Sequence, residues 1–236
     1  MNESLSNTGN FSTAAHKQAL ASITAAKQRS PFAVPEVCIV AVTKAFPVDA
    51  LITGFAAGHR LFGESRVQEA AKKLPAFPER DQCRIHMIGH LQSNKAKQAI
   101  DLFDLIESVD SLKLFQRLDR LAGEAGKQMP IYLQVNTAHD EAKTGFSPGA
   151  LIDSVDEFAA GRHTTVQGIM TIAPFAQDSD VIRECFGRAR QLRDELRKSI
   201  PSCTDLSMGM SVDYELAVEE GATHVRLGSR LFGPRP

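Results

Sequence analysis

Three short stretches bring together residue types that could bind an anion and attack a carbonyl. Lys44 closes the apolar run 37-VCIVAVTK-44, Ser211 closes 206-LSMGMS-211, and 224-HVRLGS-229 carries Arg226 ahead of Gly228 and Ser229. Gly209, Met210 and Ser211 lead into the helical pattern 212-VDYELAVEE-220. Backbone N–H groups at a helix start are unpaired and carry the positive end of the helix dipole, so the amides at this start and the Ser211 hydroxyl are candidate phosphate donors. Gly228 and Ser229 repeat the arrangement, with a missing side chain that lets an anion approach the backbone. The plain alternative is that the glycines serve tight turns and Ser211 only caps its helix. A lysine near such a site can be a counter-ion. With its ammonium desolvated beside a second cation, it can instead lose its proton and act as a nucleophile toward a carbonyl. The bland reading is a strand-end lysine snorkelling at a rim.

These residues need a frame that brings them together. Apolar segments at 37–44, 60–64, 84–89, 105–110, 130–136, 165–172, 205–210 and 224–229 read as strands. Helical patterns fill 47–57, 65–73, 93–100, 111–125, 147–160, 178–198 and 211–220, and one further helix, 12–29, precedes the first strand. Gly58, Gly126 and Gly221 stand where helices end, and Ser93 is a candidate cap. Strand alternating with helix argues for a parallel sheet, and eight repeats argue for closure into a (β/α)8 TIM barrel with an extra N-terminal helix. A doubly wound open sheet is the rival, but it calls for a glycine-rich turn after an early strand and no GxGxxG is present. The expected organisation is a flexible N-terminus over 1–10 and a single barrel domain over 11–236.

In such barrels chemistry sits at the C-terminal ends of the strands, and phosphate often sits in the loops after strands seven and eight. The strand ends offer Lys44, Ser65, His90 and Asn136 besides the two glycine–serine sites. Strand parity turns His224, Arg226 and Gly228 inward, and puts Lys44 on one face with Val42 and Val40. Because strand eight closes on strand one, Lys44 and Arg226 look into the same mouth. A phosphate site, a nucleophilic lysine and a ring partner together suit pyridoxal 5′-phosphate. An arginine facing the pyridine nitrogen can only donate, so it keeps that nitrogen unprotonated and the ring a poorer electron sink.

Composition removes other classes. The 236 residues carry 27 basic and 28 acidic side chains, a net charge of −1, which gives no global field for a nucleic acid or an anionic membrane. The four cysteines form no CxxC pair, and Cys38 lies in a buried-looking strand, so free thiols in a reducing cytoplasm are expected. No signal peptide and no run long enough to span a bilayer is visible.

The segments 40-VAVTK-44, 61-LFGES-65, 86-HMIGHLQSNK-95, 143-KTG-145, 168-GIMTI-172, 206-LSMGMS-211 and 225-VRLGSRLFG-233 resemble, in order and spacing, the pyridoxal phosphate homeostasis proteins. The resemblance implies a barrel like the N-terminal domain of alanine racemases, with pyridoxal phosphate held as a Schiff base on Lys44. It also implies phosphate binding by Met210, Ser211, Gly228 and Ser229, and Arg226 near the ring nitrogen. Ser65, His86 and Asn136 complete the expected cofactor contacts. Ser65 stands where the family has Asn, Ile85 where Trp is usual, and Ser229 where Thr is common.

The family is thought to carry and deliver the vitamer and to balance amino- and oxo-acid pools. Racemisation needs a second acid/base group on the opposite face of the cofactor, a tyrosine from a second domain in the related racemases. The chain ends at Pro236, a few residues past strand eight, and has only Tyr132 and Tyr214. The expectation is a monomeric, non-catalytic carrier whose partners are small amino or oxo acids and apo-enzymes. A weak racemase using His86 or His90, and an aldolase or isomerase using Lys44 on a sugar phosphate, stay open. Lys95 and Lys97 read as a docking patch or as a solvated helix face.

Overall fold

Eight buried strands alternate with helices and the last strand returns to the first. In the computed structural model, which describes residues 9–33, 36–138, 144–174 and 178–235, the strands form a closed parallel barrel in sequence order. They are β1 (Cys38–Val42), β2 (Leu61–Glu64), β3 (Arg84–Met87), β4 (Leu105–Val109), β5 (Met129–Gln134), β6 (Thr164–Met170), β7 (Asp205–Ser207) and β8 (His224–Leu227). The helices are α1 (Thr13–Arg29), α2 (Asp49–Ala56), α3 (Val67–Lys73), α4 (Ala96–Leu102), α5 (Leu112–Glu124), α6 (Pro148–Asp153), α7 (Val155–Ala159), α8 (Ser179–Ser199), α9 (Tyr214–Glu219) and α10 (Ser229–Phe232). The barrel and the extra N-terminal helix are as the alternation predicts.

The apolar core is divided by strand parity. Outward strand residues such as Ile39, Ala41, Phe62, Ile85 and Val225 join the helices in one large buried cluster. Inside the barrel the apolar cluster is small, Leu105, Tyr132 and Met170 with Ile172 against it, and polar side chains share the interior. Closure sets Val40 of β1 opposite Arg226 of β8, which fixes the two mouth cations on adjacent strands.

Helix α1 lies against α9 and α10. The Ser12 amide donates to the Leu231 carbonyl at 2.9 Å, and at the other end Arg29 pairs with Glu219 at 2.6 Å. Residues 1–8, most of the stretch expected to fray, lie outside the described residues, as does Lys143; Gly9 is buried against the Phe46 ring.

Several local expectations are corrected. Ser93 caps nothing: 93–95 form a tight turn and α4 starts behind Lys95 without a side-chain cap. The helix read over 147–160 breaks at Ser154, a residue type that competes for helical backbone bonds, into α6 and α7. The helix after β7 is confined to α9, with a single turn over 211–213 ahead of it. Cys38 is exposed, because it opens β1 at the solvent-facing bottom of the barrel. The C-terminal glycines behave as read, with Gly58, Gly126 and Gly221 at φ +89°, +64° and +99°. None of the four cysteines forms a disulfide, and among the described residues no helix is long and apolar enough to cross a membrane.

Ser12 accepts from the Ala15 amide at 3.2 Å as the N-cap of α1. Ser12→Ala is expected to cost about 1 kcal/mol, read as a shift in the urea unfolding midpoint with unchanged slope.

Candidate functional site

Two adjoining cavities open at the C-terminal mouth. The narrower, about 230 Å³, is lined by Lys44, Met210, Ser211, Arg226, Gly228 and Ser229 among others, six of the nine residues singled out from sequence. The wider, about 540 Å³, has Ser65 on its wall. Lys44, Ile88, Ile172 and Arg235 line both, so the lysine stands between them. His86 and Asn136 line neither cavity.

The anion end is built from two loops. Gly209 has φ +89°, and a Cβ there would fall 2.5 Å from the Ala217 Cβ, so only glycine lets the β7 loop pass under α9. The Met210 carbonyl then accepts from the Asp213 and Tyr214 amides at 3.2 and 2.9 Å, which starts a helical turn. Met210 was expected to offer its amide. In the structure that amide donates to Asp213 Oδ1 at 2.5 Å, as in one half of a capping box. The unpaired donors of the turn are therefore the next two amides, Ser211 and Val212. Across the cavity Ser229 Oγ lies 3.4 Å from Ser211 Oγ, so hydroxyls from both loops converge on one point. Burial raises the Asp213 carboxyl above its ordinary value, opposed by the Met210 N–H and by Arg226. Val212 opens the pattern 212-VDYELAVEE-220, whose starting amides the sequence offers as donors.

Arg226 is held from below. Its Nη1 donates to Ser207 Oγ at 2.7 Å and its Nη2 to the Thr171 carbonyl at 2.8 Å. Ser207 Oγ in turn donates to Glu107 Oε2 at 2.6 Å, and His86 Nδ1 lies 2.8 Å from Glu107 Oε1. Burial pushes the Glu107 carboxyl up, but the bonds and charges of His86, Arg226 and Ser207 outweigh it and hold the group below its ordinary value. Burial lowers Arg226, which Glu107 and Asp213 oppose. The expected His86 contact to a ligand is thus replaced by a deeper role on Glu107. Asn136 is occupied through its amide, which donates to the Phe146 carbonyl at 2.9 Å. Tyr132 lies toward the bottom of the barrel, its hydroxyl on Asp205 at 2.9 Å.

Lys44 sits two residues past β1, in a turn whose next residue, Ala45, has φ +65°. A left-handed alanine costs roughly 1–2 kcal/mol, so the surroundings must impose it. They do. The Ala45 amide donates to Glu69 Oε1 at 2.6 Å, and Thr43 Oγ1 donates to Glu64 Oε1 at 2.7 Å. Lys73 Nζ reaches the Thr43 carbonyl at 2.9 Å, Glu64 at 2.8 Å and Glu69 at 3.0 Å, tying both flanks of Lys44 to one ammonium. Burial raises the Glu64 carboxyl, against the attraction of Lys73. The Lys44 amine is lowered from its ordinary value by burial first, then by Arg235, Arg226 and Arg66, with Glu69 opposing. Sequence reading gave no role to Glu69, Lys73, Arg66 or Arg235. The first two carried a legible signal, an acid–base pair spaced i, i+4 on one helix face. Ser65 packs its backbone against Gly89, where a Cβ would lie 2.3 Å from the Ser65 carbonyl oxygen.

Lys73→Met leaves Glu64 buried without its cation, and is expected to destabilise the fold by about 3–5 kcal/mol in urea unfolding. Gly209→Ala is expected to cost about 1–3 kcal/mol through its φ alone, and to displace the 210–213 turn, which amide exchange of Ser211 and Val212 would report.

Comparison with known proteins agrees with this geometry. A family model described as the alanine racemase N-terminal domain matches residues 20–236. A pyridoxal phosphate homeostasis protein of Synechocystis sp. is 38% identical over 202 residues, 85% of this chain and 93% of that one. The protein of the same name from Homo sapiens is 37% identical over 213 residues, 84% of this chain and 76% of that one. Among solved structures, PipY of Synechococcus elongatus with PLP bound has a TM-score of 0.79 at 39% identity, covering 90% of this chain and 99% of that chain. Alanine racemase of Clostridium difficile has a TM-score of 0.71 at 14% identity, covering 94% of this chain and 56% of that chain, a likeness of fold alone. The family model matched over residues 20–236 and the relatives 37–38% identical across more than four fifths of the chain place it in the alanine racemase N-terminal domain family, among the pyridoxal phosphate homeostasis proteins.

Proposed function

We propose that this chain binds pyridoxal 5′-phosphate on Lys44 and serves in holding and delivering that cofactor, without turning over a substrate of its own. The observation that carries this reading is the narrower cavity, where Lys44, Arg226 and the facing hydroxyls of Ser211 and Ser229 line one space. The residues fit the cofactor. The hydroxyl pair and the free Ser211 and Val212 amides suit a phosphate, Arg226 can only donate to a ring nitrogen, and the Lys44 amine sheds its proton more readily than a solvated lysine. When bound, pyridoxal phosphate supplies an aldehyde that condenses with a primary amine with loss of water.

The chain's own residues do the rest. Lys73, Glu64 and Glu69 hold the turn that carries Lys44, so its amine starts in place rather than being ordered on binding. Arg226 is fixed by Ser207, Thr171 and Glu107 and has no proton to give up near neutral pH. A carrier role is supported by what does not face Lys44. Tyr132 is bonded to Asp205 and Tyr214 is buried, and neither lines the two cavities. The wider cavity beside Lys44 opens to solvent, which suits exchange with small amino and oxo acids or with acceptor apo-enzymes. Free cysteines suit a reducing cytoplasm, where we place the protein.

Purified protein is expected to show a visible absorption band that collapses on borohydride reduction and leaves a pyridoxyl adduct mapped to Lys44. A colourless protein that takes up no added pyridoxal phosphate would refute the reading. Because the Lys44 amine is lowered from 10.5, the rate of cofactor attachment should rise with pH and level off below the ordinary lysine value. Removing a neighbouring positive charge raises that value, so Arg235→Gln should move the profile to higher pH in stopped-flow absorbance.

A further inference from the structure

The wider cavity holds an unexplained charge pattern. Arg66, just past β2, and Arg235, in the C-terminal tail, both line it together with Lys44, and Lys44 feels both guanidinium charges. Neither guanidinium makes an ion pair or hydrogen bond with the described residues. The other charged groups on the wall are already engaged. Glu69 is bonded to Lys73 and to the Ala45 amide, and His90 Nδ1 lies 2.9 Å from Asp110. Gln134 and Thr144 satisfy one another, with Gln134 Nε2 donating to the Thr144 carbonyl at 3.0 Å and to its hydroxyl at 3.1 Å. Two cations with no ion pair among the described residues therefore face a concave space of about 540 Å³, the size of a small-ligand site.

We infer that this cavity is a carboxylate subsite for α-amino acids and 2-oxo acids, with Arg66 and Arg235 as its carboxylate ligands. The inference deepens the proposed function by naming the ligand class that meets Lys44, and the binding itself does not require the cofactor. A carboxylate is favoured over a second phosphate because the hydroxyl pair and turn amides suited to phosphate belong to the narrower cavity. A planar guanidinium matches a planar carboxylate through two parallel N–H···O bonds. Ile88 and Ile172, shared by both cavities, give the carbon skeleton an apolar surface beside the lysine. A carboxylate held by Arg66 and Arg235 brings the amino or oxo group of the same small molecule toward Lys44.

The test is ligand-observed NMR on the full chain at fixed ionic strength, with pyruvate, L-alanine and ethylamine, the last being alanine without its carboxylate. Pyruvate and L-alanine are expected to bind saturably and to compete with one another, and ethylamine to show no binding. Arg66→Gln and Arg235→Gln should each weaken pyruvate at least tenfold, with Arg66→Lys intermediate, because it keeps the charge and loses the fork. Thermal melts of the same samples separate lost binding from lost folding. No saturable carboxylate binding, or equal binding by Arg66→Gln, overturns the subsite. So does displacement of pyruvate by equimolar inorganic phosphate with the same dependence on Arg66, which would mark a general anion site. Uptake of pyridoxal phosphate, read by absorbance in parallel, keeps the two readings apart. A chain that takes up the cofactor and ignores carboxylates loses the subsite alone, whereas one that binds carboxylates and takes up no cofactor loses the proposed function alone.

Discussion

The closure of β8 onto β1 is the constraint on which the site depends. It sets Val40 beside Arg226 and thereby puts a lysine and an arginine from opposite ends of the sequence at the same mouth. Both are cations, and bringing them together in a partly dry space is unfavourable. The fold offsets that in different ways for the two. Arg226 is matched by a carboxylate in the barrel interior, Glu107, through Ser207 and by direct attraction at 3.9 Å. For Lys44, burial first and then the charges of Arg235, Arg226 and Arg66, only partly opposed by Glu69, lower its affinity for a proton. One closure event thus yields a fixed guanidinium and a proton-poor amine.

A second division of labour follows from strand parity. Outward residues of the strands build the apolar layer with the helices, so the interior need not supply the bulk of the hydrophobic stabilisation. That frees interior positions for polar groups. His86, Glu107, Ser207, His224 and Arg226 are bonded to one another or to neighbours rather than left exposed to an apolar surround. Burial lowers His224 from its ordinary value, with Glu107 and Asp205 opposing and His86 and Arg226 adding to it. The result is a polar column under the mouth whose upper member, Arg226, cannot shift without breaking several bonds below it.

How much of this could be read from sequence depends on the range of the interaction. Alternating apolar and amphipathic segments give the barrel, because periodicity is local and each segment carries it. That Lys44, Ser211, Gly228 and Ser229 share one cavity was legible because strand ends in a parallel barrel converge. The Met210 amide was misassigned because its acceptor, Asp213, is decided by a side-chain rotamer in the turn, which residue type leaves open between capping and solvation. His86 was placed one layer too high, since parity gives the face of a residue and not its depth along the barrel axis. Arg235 lay beyond the last recognised segment, and Arg66 follows β2 as an ordinary exposed arginine; only the closed fold brings them around Lys44.

On the proposed function, the turn at Lys44 makes holding the cofactor and exchanging it compatible in one site. A lysine whose amine was tied up in its own hydrogen bonds would have to break them to take a covalent partner. Here the order is imposed on the flanking backbone, through Lys73, Glu64 and Glu69, and the Lys44 side chain takes no part in those bonds. Its amine is carried by an ordered backbone and is not tied into the network that orders that backbone. The positive charges that favour a neutral amine also favour the anionic ends of incoming ligands, so the same field that readies Lys44 draws toward it the molecules that would take its place.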